Sequence, residues 1–340
     1  MELTQLDRYE LTGLLGSGAD YEVRSAEERD SGMDVVVKRP VPQMISRGMH
    51  GAVEERTDRT IHVYQELANS IPQVCPMLGY TERGNHDAFF GDDLGQEYRV
   101  TISQRARGIP LVGDVRARIL RVPIGLGQNL FCLFPLPFAE GDEPFPVQQQ
   151  LLDAEERFHQ AGYVLLDMGP QNIFFQPAAK HISIIDPGAL LTGDLDRTPV
   201  GRGPQDIHDF YLEMLKFYTT FQPPPTDVTG YRDPYNMRPV VNFDQELQEM
   251  ARGLSLEPTA TEDCRQAGQD LMEKVRRRGC ESFGEFQEGL LSYLEALRQR
   301  NLALPNIEEM GRAWNNALQL LREDHWRKYA FVADEELNDL

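Results

Sequence analysis

The sequence predicts an α+β fold in which a strand-rich N-terminal lobe is followed by a helical C-terminal lobe, and two observations carry that reading. Residues 8–139 hold short apolar runs separated by turn signals, the pattern of strands joined by tight connections. After residue 145 the apolar positions recur at helical spacing instead. A strand-rich lobe followed by a helix-rich one leaves a natural cleft between them. The boundary is drawn at 139. Residues 140–340 form the helical lobe, with a C-terminal helical extension from about residue 240.

Five runs read as strands: YELTGLL from Tyr9, DVVVKRP from Asp34, EYRVTIS from Glu97, RARILRVPI from Arg116 and NLFCLFPLPF from Asn129. Each is a short apolar run, and GSGAD, RDSG, GDDLG and GLGQN supply the turns. One helix interrupts them. Residues 51–69 have helix-forming composition and stop just before Ile71-Pro72, where the residue ahead of proline disfavours the helical conformation. In the second half, Val147–Gln160 is amphipathic and stops at Gly162. Further helices are expected at 205–221, 243–254, 261–278, 282–299 and 306–329, with a proline-rich loop at 222–239.

Composition excludes several classes. The 340 residues are 41% hydrophobic and 26% charged, which supports a packed core. No apolar run is long enough to span a bilayer, and the N-terminus carries acidic residues without a signal core, so a cytoplasmic location is expected. With 34 basic against 54 acidic residues the formal charge is −20. Such a surface repels nucleic-acid backbones and anionic lipids, so neither is an expected partner. Four cysteines show no CxxC pair and read as buried thiols, and the histidines form no metal-ligand pattern.

Four motifs carry chemistry. Leu15–Val23 (LGSGADYEV) places Gly16, Ser17 and Gly18 at a hairpin whose backbone can approach phosphates closely. By itself it is also an ordinary glycine turn. Val35–Lys38 closes a β-branched run on a lysine, 22 residues beyond Gly16. Such a lysine is either a snorkelling strand end or a charge set into a cleft. Leu166–Phe175 (LDMGPQNIFF) sets Asp167 and Asn172 five residues apart on a loop, where a carboxylate can take a hydroxyl proton and an amide oxygen can hold a metal. Ile182–Gly188 (ISIIDPG) ends a short apolar strand on Asp186, far enough past Asn172 for a hairpin to bring the two together. Taken singly, the last two are polar turns. Taken jointly and in this order, the four describe a magnesium–nucleotide site.

These residues resemble the protein-kinase superfamily, from about Tyr9 to about Leu215. LGSGADYEV is similar to the glycine-rich loop, VVVK to the strand-three lysine motif, LDMGPQN to the catalytic loop and DPG to the magnesium-binding motif. Asp206, in DIHDFYLEML, resembles the buried aspartate that opens the long central helix. The resemblance implies a two-lobed fold whose N-lobe, residues 1–139, has a five-stranded sheet, a regulatory helix and an insertion. It implies ATP and Mg2+ as ligands. Gly16, Ser17, Gly18 and Val23 would cover the nucleotide, and Lys38 would hold its α- and β-phosphates. Asp167 would orient the acceptor hydroxyl, and Asn172 and Asp186 would bind magnesium. A glutamate of the helix at 51–69 would fix Lys38. Glu55 is preferred for its distance from Lys38, and Glu66, eleven residues on, faces the same side. The hinge falls at Phe131–Phe138 or at Thr101–Gly108.

The sequence departs from that pattern at several points. Tyr21 stands where the third glycine would be, Leu165-Leu166 replace the usual His-Arg, Gly169 replaces a lysine and Pro187 replaces phenylalanine. The span from Asp186 to Asp206 is short for an activation segment. The expected function is transfer of the γ-phosphate of ATP to a hydroxyl on an unknown protein or small molecule. The alternative is a pseudokinase: a nucleotide-binding scaffold or a module that regulates a partner. In either case the C-terminal helices are the expected surface for a regulatory protein.

Overall fold

A computed structural model describes residues 1–110, 146–165, 172–176, 179–187, 191–192, 206–216, 242–257, 260–303, 305 and 308. The chain divides into two compact units: Met1–Ala106 with Ser183–Gly188, and Arg107–Ile182 with Ala189–Leu340. The division thus comes at Ala106, and the boundary expected at 139 lies outside the described residues. So do the strand-like runs at 116–124 and 129–138, the loop at 222–239 and most of the helix expected at 306–329.

The first unit is built on a six-stranded sheet of order β1-β5-β6-β4-β3-β2. Its strands are β1 (Glu2–Leu3), β2 (Tyr9–Ser17), β3 (Tyr21–Glu28), β4 (Asp34–Pro40), β5 (Met77–Tyr80) and β6 (Thr101–Gln104). β1 joins parallel to β5, and all other pairings are antiparallel. Of the five runs expected as strands, three overlap β2, β4 and β6, while β1, β3 and β5 were not among them. The β3–β4 turn is the RDSG segment, where Gly32 takes a φ of 68° and donates to the Glu28 carbonyl at 2.8 Å. That left-handed geometry suits glycine because it carries no Cβ.

Period-two alternation divides β4 between two environments. Val35 and Val37 are fully buried in a core with Tyr9, Ala26, Tyr98 and Ile102. Arg39 follows them onto that face and is 1% exposed, held by Glu22 and Asp92. Lys38 faces the other way.

Two short helices, α1 (Pro42–Ser46) and α3 (Asp87–Phe90), flank the longer α2 (Gly51–Glu66). Val53, Thr57, Ile61 and Tyr64 of α2 are buried at spacings of four, four and three, the stripe expected of an amphipathic helix. Glu54 is buried beside them. It accepts the Arg99 backbone N–H at 3.0 Å and pairs with Arg83 at 3.1 Å.

The second unit holds the helices α4 (Pro146–Gln160), α5 (Ile207–Lys216), α6 (Phe243–Leu256), α7 (Glu262–Arg276) and α8 (Phe283–Leu302). It also contains short strands β7 (Ile109–Pro110), β8 (Tyr163–Val164), β9 (Ile173–Gln176) and β11 (Leu191–Thr192), and β9 lies between β7 and β10 (His181–Ile184). Asn242 and Thr261 cap α6 and α7 by accepting the N–H groups of Gln245 and Cys264. Tyr211 of α5 stacks on Phe286 of α8 at 3.9 Å. Asp206 is not buried as expected. Its side chain is 46% exposed, pairs with Arg278 and accepts the His208 N–H, whereas Asp209 is the buried carboxyl of that turn. Cys75, Cys264 and Cys280 are free and buried, and burial pushes the Cys75 thiol up to about 12. Among the described residues, no helix is long and apolar enough to cross a membrane.

One buried carboxyl in α4 makes stability depend on pH. Glu155 is fully buried, accepts the Leu165 N–H at 2.9 Å and has one oxygen without a partner. Burial raises its pKa well above the usual carboxylate range, and the charge of Glu213 adds to the shift. The folded state therefore keeps a proton that the unfolded state releases once pH exceeds about 4.3, so stability falls as pH rises from there through the folded pKa. Glu155→Gln carries no such titration. The expected result is melting like wild type near pH 4 and higher than wild type at pH 8. Parallel melting curves across that range would show that Glu155 is charged at no cost.

Candidate functional site

A recess of about 60 Å3 opens on the Lys38 face of the first unit's sheet, lined by Tyr21, Lys38, Arg56, Thr57, Thr60, Tyr64, Met77, Thr101, Ser103, Asp186 and Pro187. That is room for a few waters at ~15 Å3 each, and far below the ~300–1,000 Å3 of a drug-sized pocket. It suits a small charged group rather than a whole ligand.

Strand register explains who faces it. Lys38 is paired with Val23 on one side and Thr101 on the other, and opposed residues share a face. Val23 is in turn paired with Gly16. Gly16, Val23, Lys38 and Thr101 thus form a row across the sheet. Gly16 and Ser17 end β2, and Gly18 closes the turn by donating to the Tyr21 carbonyl at 2.9 Å. A Cβ on Gly16 would meet nothing within 4 Å, and one on Gly18 would come no nearer than 3.9 Å. Among the described residues, nothing packs against either position closely enough to require glycine.

Lys38 and Asp186, 148 residues apart in sequence, meet at 2.6 Å. Asp186 is delivered by Ile184, which donates to the Gln73 carbonyl at 2.7 Å and accepts from the Cys75 N–H at 2.9 Å. These two bonds fasten the segment around Ile184 to the segment that follows α2. Asp186 itself has a φ of 52°, in the left-handed region that aspartate tolerates better than most residues. Its side chain is 42% exposed and that of Lys38 is 21% exposed. An ion pair this open contributes only ~0–1 kcal/mol, so an incoming ligand has little to displace.

Tyr21 forms the floor under Lys38. The ammonium lies 4.1 Å from the centre of the Tyr21 ring, and the phenol meets Thr57 Oγ1 at 3.0 Å and donates to the Val53 carbonyl at 3.3 Å. Burial pushes the phenol up to about 12, and the nearby Asp186 carboxylate adds to that, so Tyr21 stays neutral.

The glutamate expected to fix Lys38 is not there. Glu55 is exposed, and Glu66 is exposed and paired with His62 at 3.2 Å. They do share a side of α2, as their spacing indicates, but that side faces solvent. Glu55 sits one residue, about 100°, round the helix from Arg56. The face toward Lys38 instead carries Arg56, Thr57, Thr60 and Tyr64. Arg56 pairs with Asp20 at the tip of the glycine hairpin. Neither residue is among those expected at the site, although Asp20 lies within the Leu15–Val23 motif. The spacing of Arg56, Thr60 and Tyr64 on one helical face was the available signal, but only the packing shows where that face points.

Of the remaining expected residues, Asn172 immediately precedes β9 in the second unit, and Asp167 lies outside the described residues. Among the described residues, no cluster of three or more His, Cys, Asp or Glu side chains forms a metal cage. Asp186 alone fits magnesium nonetheless, because that ion is commonly held by one or two carboxylates, with phosphate and water completing its shell. No protein-family model and no curated protein matches this chain.

Proposed function

We propose that this chain binds ATP with magnesium and transfers the γ-phosphate to a hydroxyl on a protein or small molecule, in the manner of the protein-kinase superfamily. The observation that carries the reading is the meeting of Lys38 and Asp186 beside a hairpin where a Cβ on either glycine would crowd none of the described residues. In this reading Lys38 turns from Asp186 to the phosphates, and Asp186 turns to the metal. Magnesium, when bound, neutralises charge that develops on the transferring phosphoryl group. Asn172 would be a second metal ligand, and Asp167 would orient the acceptor hydroxyl.

A second reading is a nucleotide-binding module with little turnover. It is favoured by the Tyr21 ring against Lys38 and by the lack of a glutamate from α2 to hold Lys38 extended. One pair of measurements separates the two. Millimolar Mg-ATP is expected to raise the melting temperature, since a ligand at a hundred times its Kd stabilises the native state by about 2.7 kcal/mol. Incubation with γ-labelled ATP and a basic protein mixture then reports transfer. Label on an acceptor supports the phosphotransferase, binding without release of label supports the module, and free phosphate without an acceptor indicates hydrolysis alone. A melting curve unmoved by Mg-ATP removes both readings.

A further inference from the structure

We infer that Arg56 is a second phosphate-binding cation, held ready by Asp20 and released to the ligand when a phosphate enters the recess. This rests in part on the proposed nucleotide site, but its own observations are separate. Arg56 lines the same recess as Lys38, so two cations face one small space in a protein whose formal charge is −20. Its side chain is 39% exposed, and the partner that holds it, Asp20, is 31% exposed. Neither is locked in a core. Thr57 and Thr60 line the recess on the same helix, and Thr101 and Ser103 line it from the sheet.

The charges around the recess form two internal pairs, Lys38 with Asp186 and Arg56 with Asp20. A magnesium–phosphate ligand supplies a partner for three of the four groups. The metal takes Asp186, and the phosphate oxygens take Lys38 and Arg56. A guanidinium can grip two phosphate oxygens at once, whereas an ammonium acts as a point charge. Arg56 therefore supplies the geometric hold that Lys38 cannot. Asp20 sits between Gly18 and Tyr21, in the hairpin tip, so its pair with Arg56 ties the glycine hairpin to α2 until the ligand arrives. The position that faces Lys38 from α2 thus carries a phosphate ligand rather than a carboxylate.

The test is isothermal titration of the full chain with Mg-ATP, inorganic pyrophosphate and adenosine, comparing wild type with Arg56→Gln, Arg56→Lys and Asp20→Asn. Arg56→Gln is expected to weaken Mg-ATP and pyrophosphate at least tenfold while changing adenosine less than twofold. Arg56→Lys should recover part of the loss, and Asp20→Asn should tighten pyrophosphate by freeing the guanidinium. Equal affinity of Arg56→Gln and wild type for both phosphates overturns the inference. An equal loss for adenosine also overturns it, since that marks a structural role. If pyrophosphate binding depends on Arg56 while ATP does not bind, the inference stands and the proposed function falls. If neither phosphate binds wild type, both fall.

Discussion

Arg39→Met is expected to destabilise the first unit by about 3 kcal/mol, the lower end of what breaking a buried ion pair costs. The Arg39 side chain is 1% exposed. Its Nε donates to Glu22 at 2.9 Å, its Nη2 lies 2.6 Å from Asp92, and its guanidinium stacks 3.8 Å from the centre of the Phe90 ring. Removing it leaves Glu22 buried and short of a partner, and that uncompensated charge carries most of the cost. Arg24 remains 2.8 Å from the same carboxylate, which is why the loss falls at the low end. The double variant Arg39→Met with Glu22→Gln should recover a good part of the loss, because neutralising the orphan removes its penalty. Equilibrium urea unfolding measures both. An unfolding free energy within ~0.5 kcal/mol of wild type for Arg39→Met, the range of an ordinary surface change, would show that this pair does not hold the sheet.

Asp186→Ala should behave in the opposite way, with little loss of stability and nearly complete loss of magnesium-dependent nucleotide binding. Asp186 is 42% exposed, so its pair with Lys38 contributes ~0–1 kcal/mol to the fold. Among the described residues, its carboxylate is the one acidic side chain lining the recess. Loss of a residue that merely orients a metal ligand commonly costs 10–100-fold in affinity, so losing the ligand itself should cost at least about a hundredfold. The readout is the difference between ATP affinity with magnesium and with chelator. Wild type should show a large difference and Asp186→Ala none. A difference that survives in Asp186→Ala would move the metal site elsewhere. A collapse of the melting temperature would mean that the left-handed turn at Asp186 is needed for the fold itself.

Much of the architecture was legible in the chain. The helix expected at 51–69 spans Gly51–Glu66, and those expected at 243–254, 261–278 and 282–299 begin within two residues of the observed α6, α7 and α8. Amphipathic periodicity and capping residues such as Asn242 and Thr261 are local signals, and local signals survive folding. Strand β3 was harder to find. YEVRSAEE has one aliphatic β-branched residue, and the strand is held by its neighbours on both sides rather than by its own propensity. Two-residue β1 and four-residue β5 are likewise strands only by pairing.

The site divides along the same line. The sequence by itself determined which residue types were available, and in what order: a glycine hairpin, a lysine ending a β-branched run and an aspartate closing a later strand. Tertiary structure decided their use. Lys38 and Arg39 are adjacent cations with nothing in their own positions to say which is structural. Register against β3 and β6 turns Arg39 into the core beside Glu22 and turns Lys38 to the recess beside Asp186. The acidic residues of α2 were equally ambiguous. A helix presents all its faces to the sequence reader, and only packing shows that Glu55 points to solvent while Arg56 lines the recess. Periodicity fixes which residues share a face. What that face meets depends on contacts between segments distant in the chain, here the two backbone hydrogen bonds that bring Ile184, and with it Asp186, beside the segment that follows α2.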